Sequence, residues 1–219
     1  MRGGRDMSGL LKVCGLRMAG QVAILDGLGV DMLGFIFAGG SPRAVRPEEV
    51  AAMAKGKARR VGVFVEQSAD EVRRVMDAAG LDLAQLHAGQ DEEFCRQVGP
   101  ERVIKVFWPQ RYAVGCGIEE ARAALERDMT RFADLCALVL LDAGMSGGGH
   151  GASLDFGSLA GLRAPRPWLL AGGLSPDNAA LALEQAAPDG LDLNSGVETA
   201  PGVKDIERIE RVMRLMKRT

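Results

Sequence analysis

The chain has 219 residues, 47% of them hydrophobic, with 27 basic and 29 acidic side chains and a formal net charge of −2. That length and apolar content suit a single α/β barrel, and evenly mixed charge with no basic block argues against nucleic acid as a partner. No stretch approaches the roughly 18 apolar residues of a membrane span. The polar, Gly/Arg-rich residues 1–9 lack the apolar centre of a secretory leader, so a cytoplasmic protein independent of membranes is expected. Cys14, Cys95, Cys116 and Cys136 form no C-x-x-C pair and no metal-ligand spacing with the two histidines, which fits reduced thiols without zinc.

The first apolar run, residues 10–16, reads as a strand that ends in Cys14 and turns off at Gly15. A helical pattern follows over residues 17–28, then a strand over 32–37, the loop Gly39-Gly40-Ser41-Pro42-Arg43, and a helix opened by Pro47-Glu48-Glu49. Residues 60–65 give a third strand, with Ser68 as N-cap of a helix over 69–79. A fourth strand, 81–86, ends at His87 and precedes a helix over 92–98. The fifth strand spans 102–108, before a long charged segment over 118–135 that reads as an extended helix or a helix pair. Residues 137–142 form the most strand-like run, ending at Asp142 before the glycine-rich loop 144–151 and a short helix near 156–162. A seventh strand (167–171), a helix capped by Ser175 through residue 185, an eighth strand (191–194) and a helix capped by Asp205 complete the chain.

Alternating strands and helices imply a parallel sheet, and eight units predict a (β/α)₈ TIM barrel. It forms one domain over residues 1–219, with residues 1–9 a flexible N-terminal extension. An open doubly wound sheet is the alternative, but Cys14-Gly15-Leu16-Arg17 is not its Gly-x-Gly-x-x-Gly turn.

In a barrel the loops after every strand share one face. Cys14, Arg43, His87, Asp142, Gly172-Gly173 and Asn194-Ser195-Gly196 should therefore meet in one mouth. Glycine-rich backbone before a helix N-terminus makes an anion site, so Gly172, Gly173, Leu174, Asn194, Ser195 and Gly196 are candidates for phosphate. Asp177 and Glu198 would oppose an anion if they pointed inward. Arg43 could grip a carboxylate with its fork of donors, or could simply be solvated. Asp142 suits a general acid, with Asp192 the competing carboxylate. His87 is either a substrate contact or a hydrogen-bonded histidine of the mouth. Cys14 could equally be a buried structural thiol; Lys12 reads as out of step with it along the strand. Cys95, Cys116 and Cys136 fall away from the mouth.

The residues Lys12-Val13-Cys14-Gly15, Gly34-Phe35-Ile36-Phe37 with Ser41-Pro42-Arg43, Gln85-Leu86-His87, Leu140-Leu141-Asp142, Ala171-Gly172-Gly173-Leu174 and Asn194-Ser195-Gly196-Val197-Glu198 carry a resemblance. Over residues 11–205 the chain resembles the phosphoribosylanthranilate isomerases of tryptophan biosynthesis. The resemblance implies an Amadori rearrangement of N-(5-phosphoribosyl)anthranilate to its 1-deoxyribulose 5-phosphate isomer, with no metal or cofactor. It makes Cys14 the general base and Asp142 the general acid, gives Arg43 the anthranilate carboxylate, and places phosphate on the strand 7 and 8 loops. His87 and Asp192 are expected as further substrate contacts, in a monomer or homodimer. Departures from the family pattern are Ala88 directly after His87, His150 in Gly148-Gly149-His150-Gly151, Leu154-Asp155-Phe156 in the same loop, and Asn194 where serine is commoner. Two other readings are the related histidine-pathway isomerase, which would require an aspartate in place of Cys14, and a catalytically silent phosphate-binding barrel.

Overall fold

Eight parallel strands close on themselves: β1 (Leu10–Val13), β2 (Met32–Ile36), β3 (Arg59–Phe64), β4 (Leu83–Leu86), β5 (Val103–Phe107), β6 (Leu138–Asp142), β7 (Trp168–Ala171) and β8 (Gly190–Leu193). The seam is formed by β8 returning to β1, with Leu10 opposite Gly190 and Lys12 opposite Asp192. A computed structural model describes residues 9–144 and 155–216. The expected N-terminal extension (apart from Gly9) and most of the glycine-rich loop after β6, including His150, lie outside the described residues.

Two apolar layers follow from the period-2 alternation of the strands. On β5, Ile104 and Val106 point into the barrel and pack with Met32, Val61, Leu83, Leu138, Leu140 and Leu169. Val103 and Phe107, one position out of phase, join the layer between barrel and helices. Each such buried aliphatic or aromatic side chain contributes about 2 kcal/mol relative to exposure.

The surrounding helices are α1 (Ala19–Gly27), α2 (Pro47–Ala51), α3 (Ala69–Ala79), α4 (Glu92–Val98), α5 (Ile118–Arg131), α6 (Ala179–Ala186) and α7 (Ile206–Met216). The span of α3 follows from its caps. The Ser68 hydroxyl accepts from the Glu71 N–H while the Glu71 carboxylate accepts from the Ser68 N–H, and Gly80 (φ 64°) ends the helix in the left-handed region. Its buried residues Ala69, Val72, Met76 and Ala79 recur at helical spacing and face the barrel. Asp205 caps α7 as expected, accepting from the Arg208 N–H at 3.1 Å.

Four expectations need adjustment. The first strand stops at Val13, because the chain leaves the sheet through Gly15 at φ 76°. The long charged segment is a single helix that ends at Arg131. After β6 the short helix is a 3₁₀ turn, Phe156–Leu159. Ser175 does not cap α6. Its carbonyl accepts from the N–H groups of Asn178 and Ala179 in a turn before the helix. Not foreseen are the 3₁₀ turns Pro100–Arg102, Pro109–Arg111 and Ser195–Val197, the last leading into a small hairpin of β9 (Glu198–Ala200) and β10 (Val203–Lys204).

Candidate active site

The strand order puts the carboxyl ends of all eight strands on one face, and the expected site residues gather there from distant parts of the sequence. Cys14 follows β1, Arg43 the β2 loop, His87 β4, and Asp142 is the last residue of β6. Gly172 to Leu174 follow β7, and Asn194 to Gly196 follow β8.

Cys14 is buried at 4% exposure, its N–H bonded to the Leu193 carbonyl at 2.8 Å. Gly34 makes room for it, since a Cβ there would lie 2.8 Å from the Cys14 Sγ. Lys12 corrects the sequence reading. Positions two apart on a strand share a face, so Lys12 points into the barrel on the side of Cys14, where its charge acts on the thiol. The Lys12 Nζ also donates to both Asp192 oxygens, at 3.0 and 2.9 Å, in a fully buried ion pair. Burial pushes the Cys14 thiol above its ordinary value, against the opposing pull of Lys12 and Lys204. Burial also works against charge on Lys12, but Asp192 outweighs it and the ammonium is held above the usual lysine value. Asp192 itself is raised by burial, opposed by Lys12, with nearby Asp142 adding to the rise. Asp192, expected to contact substrate, thus sits within the barrel as the partner of Lys12.

Asp142 keeps a partly exposed carboxylate. One oxygen accepts from the Gly144 N–H at 3.0 Å, and the other lies 3.3 Å from the His87 Nε2. His87 is fixed from two further sides, by the Gln85 amide nitrogen 3.2 Å from Nδ1 and by the edge-on Trp108 ring at 5.4 Å.

Arg43 is not solvated. Its Nε and Nη2 donate to Glu198 over 2.6–3.1 Å, and that carboxylate also accepts from the Lys204 Nζ at 2.6 Å and the Gly202 N–H at 3.1 Å. Burial alone would raise the Glu198 carboxyl; the bonds from Arg43, Lys204 and Gly202 outweigh it and hold the group below its ordinary value. Lys204 in turn donates to the Asn194 side chain at 3.0 Å, which ties the hairpin to the β8 loop. The Glu198 carboxylate is thus taken up by Arg43, Lys204 and Gly202, and Asp177 lies 3.7 Å from Arg211.

The two glycine loops touch. A Cβ on Gly196 would lie 2.2 Å from the Leu174 carbonyl oxygen, and Gly172 (φ 109°) packs equally tightly on the Gly144 nitrogen. Gly173 adopts φ 66° with open space beside it. Lys12, Trp108, Glu198 and Lys204 were not picked out from sequence as parts of this site. The two-residue spacing of Lys12 and Cys14 was the signal available for the first of them.

A family model described as N-(5'-phosphoribosyl)anthranilate isomerase matches residues 11–214. The chain belongs to the N-(5'-phosphoribosyl)anthranilate isomerase family. A relative of that name from Desulfovibrio desulfuricans is 50% identical over 200 residues, covering 91% of this chain and 92% of its own. The phosphoribosylanthranilate isomerase of Thermotoga maritima superposes with a TM-score of 0.80 at 26% identity, covering 96% of this chain and all of that one. A phosphoribosylanthranilate isomerase solved with reduced 1-(o-carboxyphenylamino)-1-deoxyribulose 5-phosphate gives a TM-score of 0.77 at 25% identity, with the same coverage. Membership makes this chain an isomerase of tryptophan biosynthesis on a TIM barrel, and sets aside the histidine-pathway alternative. Among the described residues no helix is long and apolar enough to cross a membrane.

Proposed function

We propose that Cys14 and Asp142 are the base and acid by which this isomerase converts N-(5'-phosphoribosyl)anthranilate to 1-(2-carboxyphenylamino)-1-deoxyribulose 5-phosphate. Asp142 donates a proton to the ribose ring oxygen as the C1–O bond breaks, giving an open-chain Schiff base. The Cys14 thiolate then removes the proton at C2, and the electron pair of that C–H bond forms the C1=C2 bond of an enolamine. Tautomerisation, with a proton arriving at C1, yields the ketose. Protons move and no electrons leave the substrate, so acid–base groups suffice for the reaction.

The observation that supports this assignment best is the contrast between the two groups. Cys14 is buried among Lys12, Lys204 and Arg43, cations that favour a thiolate. Asp142 opens into the mouth beside His87. Arg43 receives the anthranilate carboxylate on the donors left free by Glu198, and His87 contacts the substrate while orienting Asp142. The backbone amides of Gly172, Gly173, Leu174, Asn194, Ser195 and Gly196 receive the phosphate. The protein works in the cytoplasm as one domain over residues 1–219, on a small phosphorylated sugar–anthranilate, without nucleic acid or membrane, as a monomer or homodimer. The test is anthranilate fluorescence during turnover of freshly made substrate by wild type, Cys14→Ser and Asp142→Asn, in which both variants lose kcat with little change in KM.

A further inference from the structure

We propose that Lys12 is a positioning residue whose charge stabilises the Cys14 thiolate as it forms during turnover, with Asp192 setting how strongly it does so. The proposal rests on the assignment of Cys14 as the base. Lys12 is fully buried, so it acts on the reaction through the sulfur above it. Its ammonium is bonded to the Asp192 carboxylate across the β1–β8 seam, at 2.9 and 3.0 Å, and it shares a strand face with Cys14 two residues along.

Such a cation is needed here. A thiol with 4% exposure receives little help from water in forming an anion, and Gly34 closes the β2 side with backbone alone. The charged groups around the sulfur are Lys12 on its own strand, Asp192 on β8, Lys204 on β10 and Arg43 from the β2 loop. Arg43 and Lys204 are already committed to Glu198, at 2.6 Å in each case. Lys12 is bonded instead to Asp192, its register partner on β8, and is the one of the three on the strand face of Cys14. Asp192 has opposite effects on two levels: it keeps Lys12 charged and in place, and its own negative charge opposes a thiolate nearby.

That double effect gives a signature that a merely structural ion pair lacks. Iodoacetamide reacts with the thiolate, so the pH dependence of Cys14 alkylation, read on the Cys14 peptide by mass spectrometry, reports its ionisation without any substrate. Lys12→Met should raise the alkylation midpoint by about one unit or more, a tenfold fall in thiolate at a given pH below the midpoint. Asp192→Asn should lower it. In turnover, Lys12→Met should reduce kcat at pH 7 by roughly tenfold or more, with the loss shrinking as pH rises and KM within about threefold. Because Lys12→Met leaves Asp192 buried and unpaired, the double variant Lys12→Met/Asp192→Asn removes both charges together. It should fold and show a midpoint above that of wild type and below that of Lys12→Met, since Lys12 acts on the sulfur more strongly than Asp192 does. A double variant that titrates as wild type does, or single variants that shift the midpoint in the same direction, would overturn the proposal. Turnover and alkylation fail separately: a Cys14 that titrates as described but is dispensable for kcat would instead count against its role as the base.

Discussion

Arg43 meets Glu198 in a fork, Nε and Nη2 on one carboxylate, although the two residues lie 155 positions apart. The arginine assigned to the substrate carboxylate is therefore already oriented by a protein carboxylate. Replacing it with lysine keeps the charge and loses the planar set of donors. Arg43→Lys should raise KM by roughly ten- to a hundredfold, the range for a lost bond to a charged group, with a smaller effect on kcat. Steady-state kinetics with phosphoribosylanthranilate would show it; an unchanged KM would remove Arg43 from the binding site.

Glu198→Gln should destabilise the fold by roughly 3 kcal/mol at neutral pH, because Lys204 loses the partner of a buried pair. The pH dependence has a definite sign. The Glu198 carboxyl is held below its ordinary value of 4.5, so its contribution is complete above that value and is lost as pH falls through the folded one. Urea unfolding should show a wide gap between wild type and variant at pH 7 that narrows once pH falls below 4.5. A gap independent of pH would contradict the ion-pair account.

Gly34→Ala tests the packing of the thiol. The added Cβ would stand 2.8 Å from the Cys14 Sγ and 2.9 Å from its Cα, and the backbone cannot yield as a side-chain tip can. A stability loss of about 1–3 kcal/mol is expected, together with a fall in kcat larger than the change in KM.

In the glycine loops the expected effect is on binding. Gly196→Val would push the β8 loop off the Leu174 carbonyl, and Gly173→Ala would strain a backbone at φ 66° that has space around it. Both should raise KM more than they lower kcat, and inorganic phosphate should inhibit wild type more strongly than either variant. Equal inhibition would place the phosphate elsewhere.

Much of the fold was legible because its signals are local. The Ser68/Glu71 capping box and the apolar spacing Ala69, Val72, Met76, Ala79 define α3 at its observed span, 69–79, and α4 also falls at the span read from sequence, 92–98. The strand ends were readable as a list, and the barrel turns that list into one face. What was illegible is pairing at long range: Lys12 with Asp192 is separated by 180 residues, and the periodicity of neither strand names the partner. The β9–β10 hairpin is tied to the barrel by just such bonds, Arg43 to Glu198 across 155 residues and Gln21 to Lys204 across 183. The misplaced cap at Ser175 has a local cause. A serine ahead of a proline and two further polar residues supports a turn as readily as a helix start, and here the turn forms first.

The central claim, that a buried thiol and a mouth carboxylate divide the proton transfers, is tested most directly by Cys14→Ser. Serine preserves the shape of the site and removes a base able to ionise in the working range. Following anthranilate fluorescence with freshly prepared phosphoribosylanthranilate, kcat should fall by roughly 10²- to 10⁴-fold while KM stays within about threefold. A Cys14→Ser enzyme that keeps more than about a tenth of wild-type kcat would fall outside that range for a general base, and would contradict the account.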